Sequence, residues 1–152
     1  MSASHRNSGA GQHSRAILSK VDDSGPQQLV EVRGLSGQTI GEAVRAQHFG
    51  LTSHPPKGAE GVAMMLGGGA DRVHALGLEH PQYRPRRLPE GATRLYDKDG
   101  NHVHIDNGTI RVQHASRILL KVGDNVTVTI NGDTVTIDAP HIKLNGLVDI
   151  NG

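Results

Sequence analysis

GDNVTVTINGDTVTIDAPHIKLNGLVDING, residues 123–152, is the stretch on which the fold reading turns. Val126, Val128 and Ile130 fall on one side of a strand, with Thr127 and Thr129 on the other. Val135 and Ile137 repeat the scheme against Thr134, Thr136 and Asp138. Asn-Gly pairs at 131–132, 145–146 and 151–152 punctuate the runs, and Asn-Gly is a strong two-residue hairpin signal. No aromatic residue occurs in the stretch, so strands form here with nothing bulky to build an ordinary core. One sheet of one chain would leave the valine face largely bare. Several intertwined chains around a shared axis would bury it, with Thr, Asn and Asp turned outward. The expected axial contacts are Val126, Val128, Ile130, Val135 and Ile137, continued by Ile142, Leu144, Val148 and Ile150.

Working back toward the N-terminus, further strand-like runs stand at 92–96, 102–106, 109–114 and 117–122, so that 92–152 reads as one β-rich shaft. Before it lies HPQYRPRRLP, residues 80–89, whose three prolines withhold backbone donors from any central strand. Residues 81–91 are therefore expected to be a Pro/Arg-rich linker, with Tyr83 as an anchor against what precedes. Runs at 16–21, 29–33, 44–50, 61–66 and 73–79 give five short strands in about 65 residues, the pattern of a small closed barrel over 15–80, since closure removes exposed edges. Ile40–Ala46 reads as a turn, and Phe49, Met64, Met65, Leu66, Leu76 and Leu78 as the bulky core contributors. Residues 1–14 carry little apolar material and read as a flexible arm. The class is all-β.

Composition narrows the function. The chain has 152 residues with 20 Gly, no Cys, no Trp and only three aromatic side chains, which leaves out a disulfide scaffold, a thiol nucleophile and a thiolate metal site. A net charge of +1 gives no broad field for nucleic acid, and the one basic cluster, Arg84, Arg86 and Arg87, reads as a solvated or subunit-contacting linker. No apolar run approaches a membrane span or a secretory signal, so synthesis in a cytoplasm is expected.

Chemistry finds little support. His102 and His104 lie two apart, and six imidazoles from three chains would suit Fe, Ni or Zn. Val103 and Ile105 read as the inward residues of that run, however, which sends both histidines to solvent and leaves them weak metal candidates. Asp97, Asp99 and Asn101 open like a cation loop but lack its remaining ligands, so a tight turn with Gly100 at positive φ is the simpler reading. Gly67–Gly69 lacks the Lys-Ser/Thr of a phosphate loop. Neither a G-x-S-x-G elbow nor an H-E-x-x-H pair occurs, and no catalytic residue is assigned. Two other functional classes stand beside a structural role: a barrel that binds single-stranded nucleic acid or carbohydrate, for which only Phe49 and Tyr83 offer stacking surfaces, and a trimeric depolymerase.

Residues 48–106, with their HPP, GGGADR, YRPRRLPEG and YDKDGNHVHI segments, closely resemble the Mu-like phage baseplate central-spike proteins, the baseplate assembly protein V family. TVTIDAPHIKLNG and VDING resemble that family's shaft. The resemblance implies a homotrimer in which an N-terminal OB-type barrel precedes an intertwined triple-stranded β-helix. It implies a place in the virion, at the centre of a contractile-tail baseplate, with hub proteins held through the barrel. On sheath contraction the tip would meet and puncture the host outer membrane, with no substrate turned over. Related spikes carry an apical HxH motif that binds iron; no HxH follows Asp138 here, so no cofactor is expected within these residues. Iron would belong to an apex beyond residue 152, or another protein would complete the tip.

Overall fold

The computed structural model describes residues 12–34, 37–66 and 73–150. The expected arm therefore lies mostly outside the described residues, as do Gly67–Gly69. The chain divides into two compact units between Arg84 and Pro85, within the proline-rich stretch. No α-helix forms among the described residues; the elements are eleven strands.

The first unit is a closed barrel of β1 (Gln12–Asp22), β2 (Leu29–Arg33), β3 (Thr39–Arg45), β4 (Glu60–Met65) and β5 (Val73–Glu79), in the order β1-β2-β3-β5-β4. β1 pairs antiparallel with both β2 and β4, which closes the ring, and β3 runs parallel to β5 through Val44↔His74 and Arg45↔Ala75. β1 begins at Gln12, so three residues of the expected arm are strand.

Alternation along these strands turns Ala16, Leu18, Val30, Val32, Ala63 and Ala75 inward, joined by Ile40, Ala43, Ala59, Val73 and Leu78. Five of these eleven are alanine. A five-stranded barrel has a narrow lumen, and small side chains fill it without strain. This explains where the expected core residues went: Leu78 is buried and Met65 packs against the core, but Leu66 and Leu76 face out and Phe49 is fully exposed. The third strand also sits earlier than expected, over 39–45 rather than 44–50, because Ile40 and Ala43 supply inward contacts that the polar Gln47 and His48 cannot. At the β4–β5 crossing only glycine fits: a Cβ on Gly61 would stand 2.2 Å from the Leu76 carbonyl oxygen.

The second unit holds two three-stranded meanders. The first is β6 (Thr93–Tyr96), β7 (His102–Asp106) and β8 (Thr109–Gln113); the second is β9 (Arg117–Val122), β10 (Val126–Asn131) and β11 (Thr134–Asp138). Every adjacent pair is antiparallel and within the chain. Short connections make local pairing the route of least loop-closure cost, and strands 93–138 pair with their neighbours in sequence. Residues 139–150, expected to contain strands at 141–144 and 148–150, form no ladder with the other described residues.

Candidate functional site

Directly opposed residues in a ladder share a sheet face, so the registers define what each face carries. In the second meander, Val128 opposes Ile137 and Leu120, Ile130 opposes Val135 and Ile118, and Val126 opposes Val122. One face is thus an unbroken apolar row across three strands, and the other carries Thr127, Thr129, Leu119, Thr136 and Asp138. The first meander repeats the division: Leu95, Val103 and Val112 form one row and Thr93, Ile105 and Ile110 the next, while Arg94, His104 and Arg111 lie behind. Leu95, Val103, Val112 and Ile118 line one shallow cleft, so the apolar rows of the two meanders are continuous.

These apolar rows are largely exposed, with Val103, Ile118 and Val128 half-buried, and in the second meander the polar face is open as well. Ile110 is 68% exposed, Val135 66% and Ile137 51%, whereas on the polar side of the first meander His104 is 3% exposed. Contiguous apolar surface of this kind marks an interaction site. Ile142, Leu144, Val148 and Ile150 in the following extended segment are likewise uncovered. β9 contributes three row residues that alternation did not single out, because Leu119 interrupts the period between Ile118 and Leu120.

The polar side of the first meander corrects the histidine reading. His102 is half-buried and His104 fully buried, whereas Ile105 is half-exposed. His104 Nε2 donates to Asp106 Oδ2 at 3.0 Å, Arg94 Nε donates to His104 Nδ1 at 3.2 Å, and Arg111 Nη1 donates to Asp106 Oδ1 at 3.1 Å. The hydrogen bond from His104 and the charge of Arg111 hold the Asp106 carboxyl below the usual carboxylate range, against a smaller opposing effect of burial. Both ring nitrogens of His104 are engaged, which leaves no lone pair for a metal in this arrangement. His102 turns Nδ1 to the Gly100 carbonyl at 2.9 Å. Among the described residues no three His, Asp or Glu side chains converge as a metal site would require.

The remaining motifs are structural. Asp97 accepts from the backbone N–H of Asp99 at 2.8 Å and Asn101 at 3.0 Å and from Asn101 Nδ2 at 2.7 Å, and Gly100 has φ 89°. The loop is a tight turn closed on its own carboxylate, as read from the sequence. Tyr83 stacks on His80 with centroids 4.5 Å apart, and Arg84 pairs with Glu79 at 3.0 Å.

Comparison with known proteins agrees with this architecture. Residues 15–82 match the model of the family described as Bacteriophage Mu Gp45, N-terminal. Over 139 residues the chain is 25% identical to "Mu-like prophage FluMu protein gp45" of Haemophilus influenzae, covering 91% of this chain and 74% of that protein. Over 137 residues it is 28% identical to "Baseplate puncturing device gp45" of Escherichia phage Mu, covering 90% of this chain and 64% of the relative. The matched segment 15–82 is the five-stranded barrel, and the alignments continue through the two meanders. Residues 15–82 thus match the N-terminal domain of the Mu Gp45 family, and over about nine-tenths of its length the chain is similar to the gp45 proteins of phage Mu and of a Mu-like prophage.

Proposed function

We propose that three copies of this chain assemble through their open apolar sheet faces into the central spike of a contractile-tail baseplate, which punctures the host outer membrane when the sheath contracts. The observation that carries this reading is the pair of meanders whose valine, isoleucine and leucine rows are largely uncovered in a single chain, while in the first meander hydrogen bonds and ion pairs close the polar side. Packing those rows around a common axis buries each at roughly 1.5–3 kcal/mol per fully covered side chain. It also fits the name of the Mu relative, a baseplate puncturing device.

Intertwining suits residues 139–150 best, whose apolar positions recur two apart at 142 and 144 and at 148 and 150 and whose backbone forms no ladder with the other described residues. The strand order of the barrel, with its single parallel pair, supports an OB-type barrel as the part held by the baseplate. The role is mechanical: strands joined by many modest backbone hydrogen bonds share an axial load, and no catalytic step is needed. Tails assembled without this chain test the role. They should contract on a trigger yet leave the outer membrane intact, and tails that still breach the membrane would refute it.

A further inference from the structure

The loop joining β3 to β4 presents a feature that neither the barrel core nor the sheet faces use. Phe49, the only phenylalanine, stands fully exposed at its tip, with Leu51 half-exposed beside it. The tip is a turn in which Leu51 N–H donates to the His48 carbonyl at 3.1 Å and Gly50, with φ 83°, takes the position that needs a left-handed residue. Phe49 occupies the outer corner.

Below the tip the loop is fastened by a built polar clamp. Arg45 donates through Nη1 to Gln28 Oε1 at 2.8 Å and to Gln47 Oε1 at 3.0 Å, through Nη2 to Ser53 Oγ at 2.9 Å, and to the Ser53 carbonyl. Gln28, itself buried, donates to the same carbonyl at 3.1 Å, and Ser53 N–H donates back to Gln47 Oε1 at 3.0 Å. Pro55 is buried at the far end. The exposed ring is thus held at a fixed place on a fastened loop, which lowers the ordering cost of binding.

We infer that the Phe49–Leu51 knuckle is the anchor by which the barrel docks into an apolar socket on another baseplate protein. This rests on the spike reading above. A phenylalanine offers about 150–250 Å² of surface, well short of the roughly 800 Å² per partner of a stable pair, so the knuckle does not sustain copy-to-copy association by itself. It has the size and chemistry of a single anchor inside a larger contact, repeated by each copy of a trimer on a partner that surrounds it. Self-association already has its own surface in the meander faces.

The test compares tails assembled with the wild-type chain and with Phe49→Asp, measuring spike content per purified tail by immunoblot, alongside the native mass and melting temperature of each purified chain. Phe49 contributes nothing to the core, so mass and melting temperature should be unchanged while spike content falls at least about tenfold, as expected for loss of an anchor residue. Arg45→Ala, which frees the loop but keeps the ring, should lower content by a smaller factor. Wild-type content with Phe49→Asp would overturn the docking assignment. A lower native mass for Phe49→Asp would also overturn it, in favour of a contact between copies. Absence of the wild-type chain from tails would overturn the baseplate reading and the docking assignment with it.

Discussion

Val128 and Ile137 stand directly opposite each other on β10 and β11, on the same sheet face as Leu120 of β9, with Ile137 and Leu120 exposed and Val128 half-buried. Thr129 and Thr136 form the neighbouring pair on the reverse face. The two pairs differ in register by one residue and in environment by the whole thickness of the sheet.

Ile137→Asp or Val128→Asp should therefore break the assembly, since three carboxylates would be brought together in an apolar interior at a cost of several kcal/mol each. Thr129→Asp, opposite Thr136 on the reverse face, should change stability by no more than about 0.5 kcal/mol. Native mass and thermal melting of the three variants check this; equal tolerance at all three would show that the faces are assigned the wrong way round.

The ion-pair cluster on β7 and β8 predicts an acid-sensitive second unit. The folded-state pKa of Asp106 is depressed by His104 and Arg111, so its contribution is fully present above the unfolded carboxylate value of about 3.9 and is lost as pH falls through the lower folded value. Urea midpoints of the wild type should decline below about pH 4, and Asp106→Asn should flatten that decline. Asp97, also depressed, mainly by its hydrogen bond from Asn101, leaves a residual slope in the variant. Identical pH profiles for the two proteins would remove the cluster from the stability of the second unit.

Gly61→Ala should destabilise the barrel by about 1–3 kcal/mol or more, because the new methyl meets the backbone of Leu76 and Leu78 rather than a side chain that can move. Gly41→Ala is the matched control: nothing lies within 4 Å of its Cβ position. Denaturant midpoints that rank the two equally would mean that β4 and β5 do not cross as closely as described.

Zinc, nickel or ferrous iron added in excess should leave the melting temperature of the assembled protein unchanged, since both nitrogens of His104 are engaged by Arg94 and Asp106. Selective binding to the native state would raise the melting temperature. A rise abolished by His104→Ala would restore this pair as a metal site.

Much of the architecture was legible in the chain, and the failures have physical causes. The strand-like runs place β7, β9 and β11 to the residue, and the proline-rich segment marks the boundary between units. The core of the barrel was misread because size was taken for burial: a narrow lumen selects Ala16, Ala43 and Ala75, while the one phenylalanine is displaced to a loop tip. The β10–β11 hairpin turns one residue later than its Asn-Gly signal suggests, since Asn131 pairs with Thr134 and leaves Gly132 and Asp133 as the loop.

The histidine pair shows the limit of alternation. It separates His102 and His104 from Val103 and Ile105 correctly, but it carries no information on which face is covered. That depended on Arg94, Asp106 and Arg111 meeting over His104 from three strands, a convergence set by register. The apolar side, left open within one chain, could be recognised only once the three-strand rows were assembled.

Native mass in solution tests the central claim most directly. Sedimentation equilibrium at micromolar concentration should give about 49 kDa, three times the 16.2 kDa chain. A well-folded species of 16.2 kDa would show that the uncovered valine, isoleucine and leucine rows are stable in water without partners, and would contradict the spike.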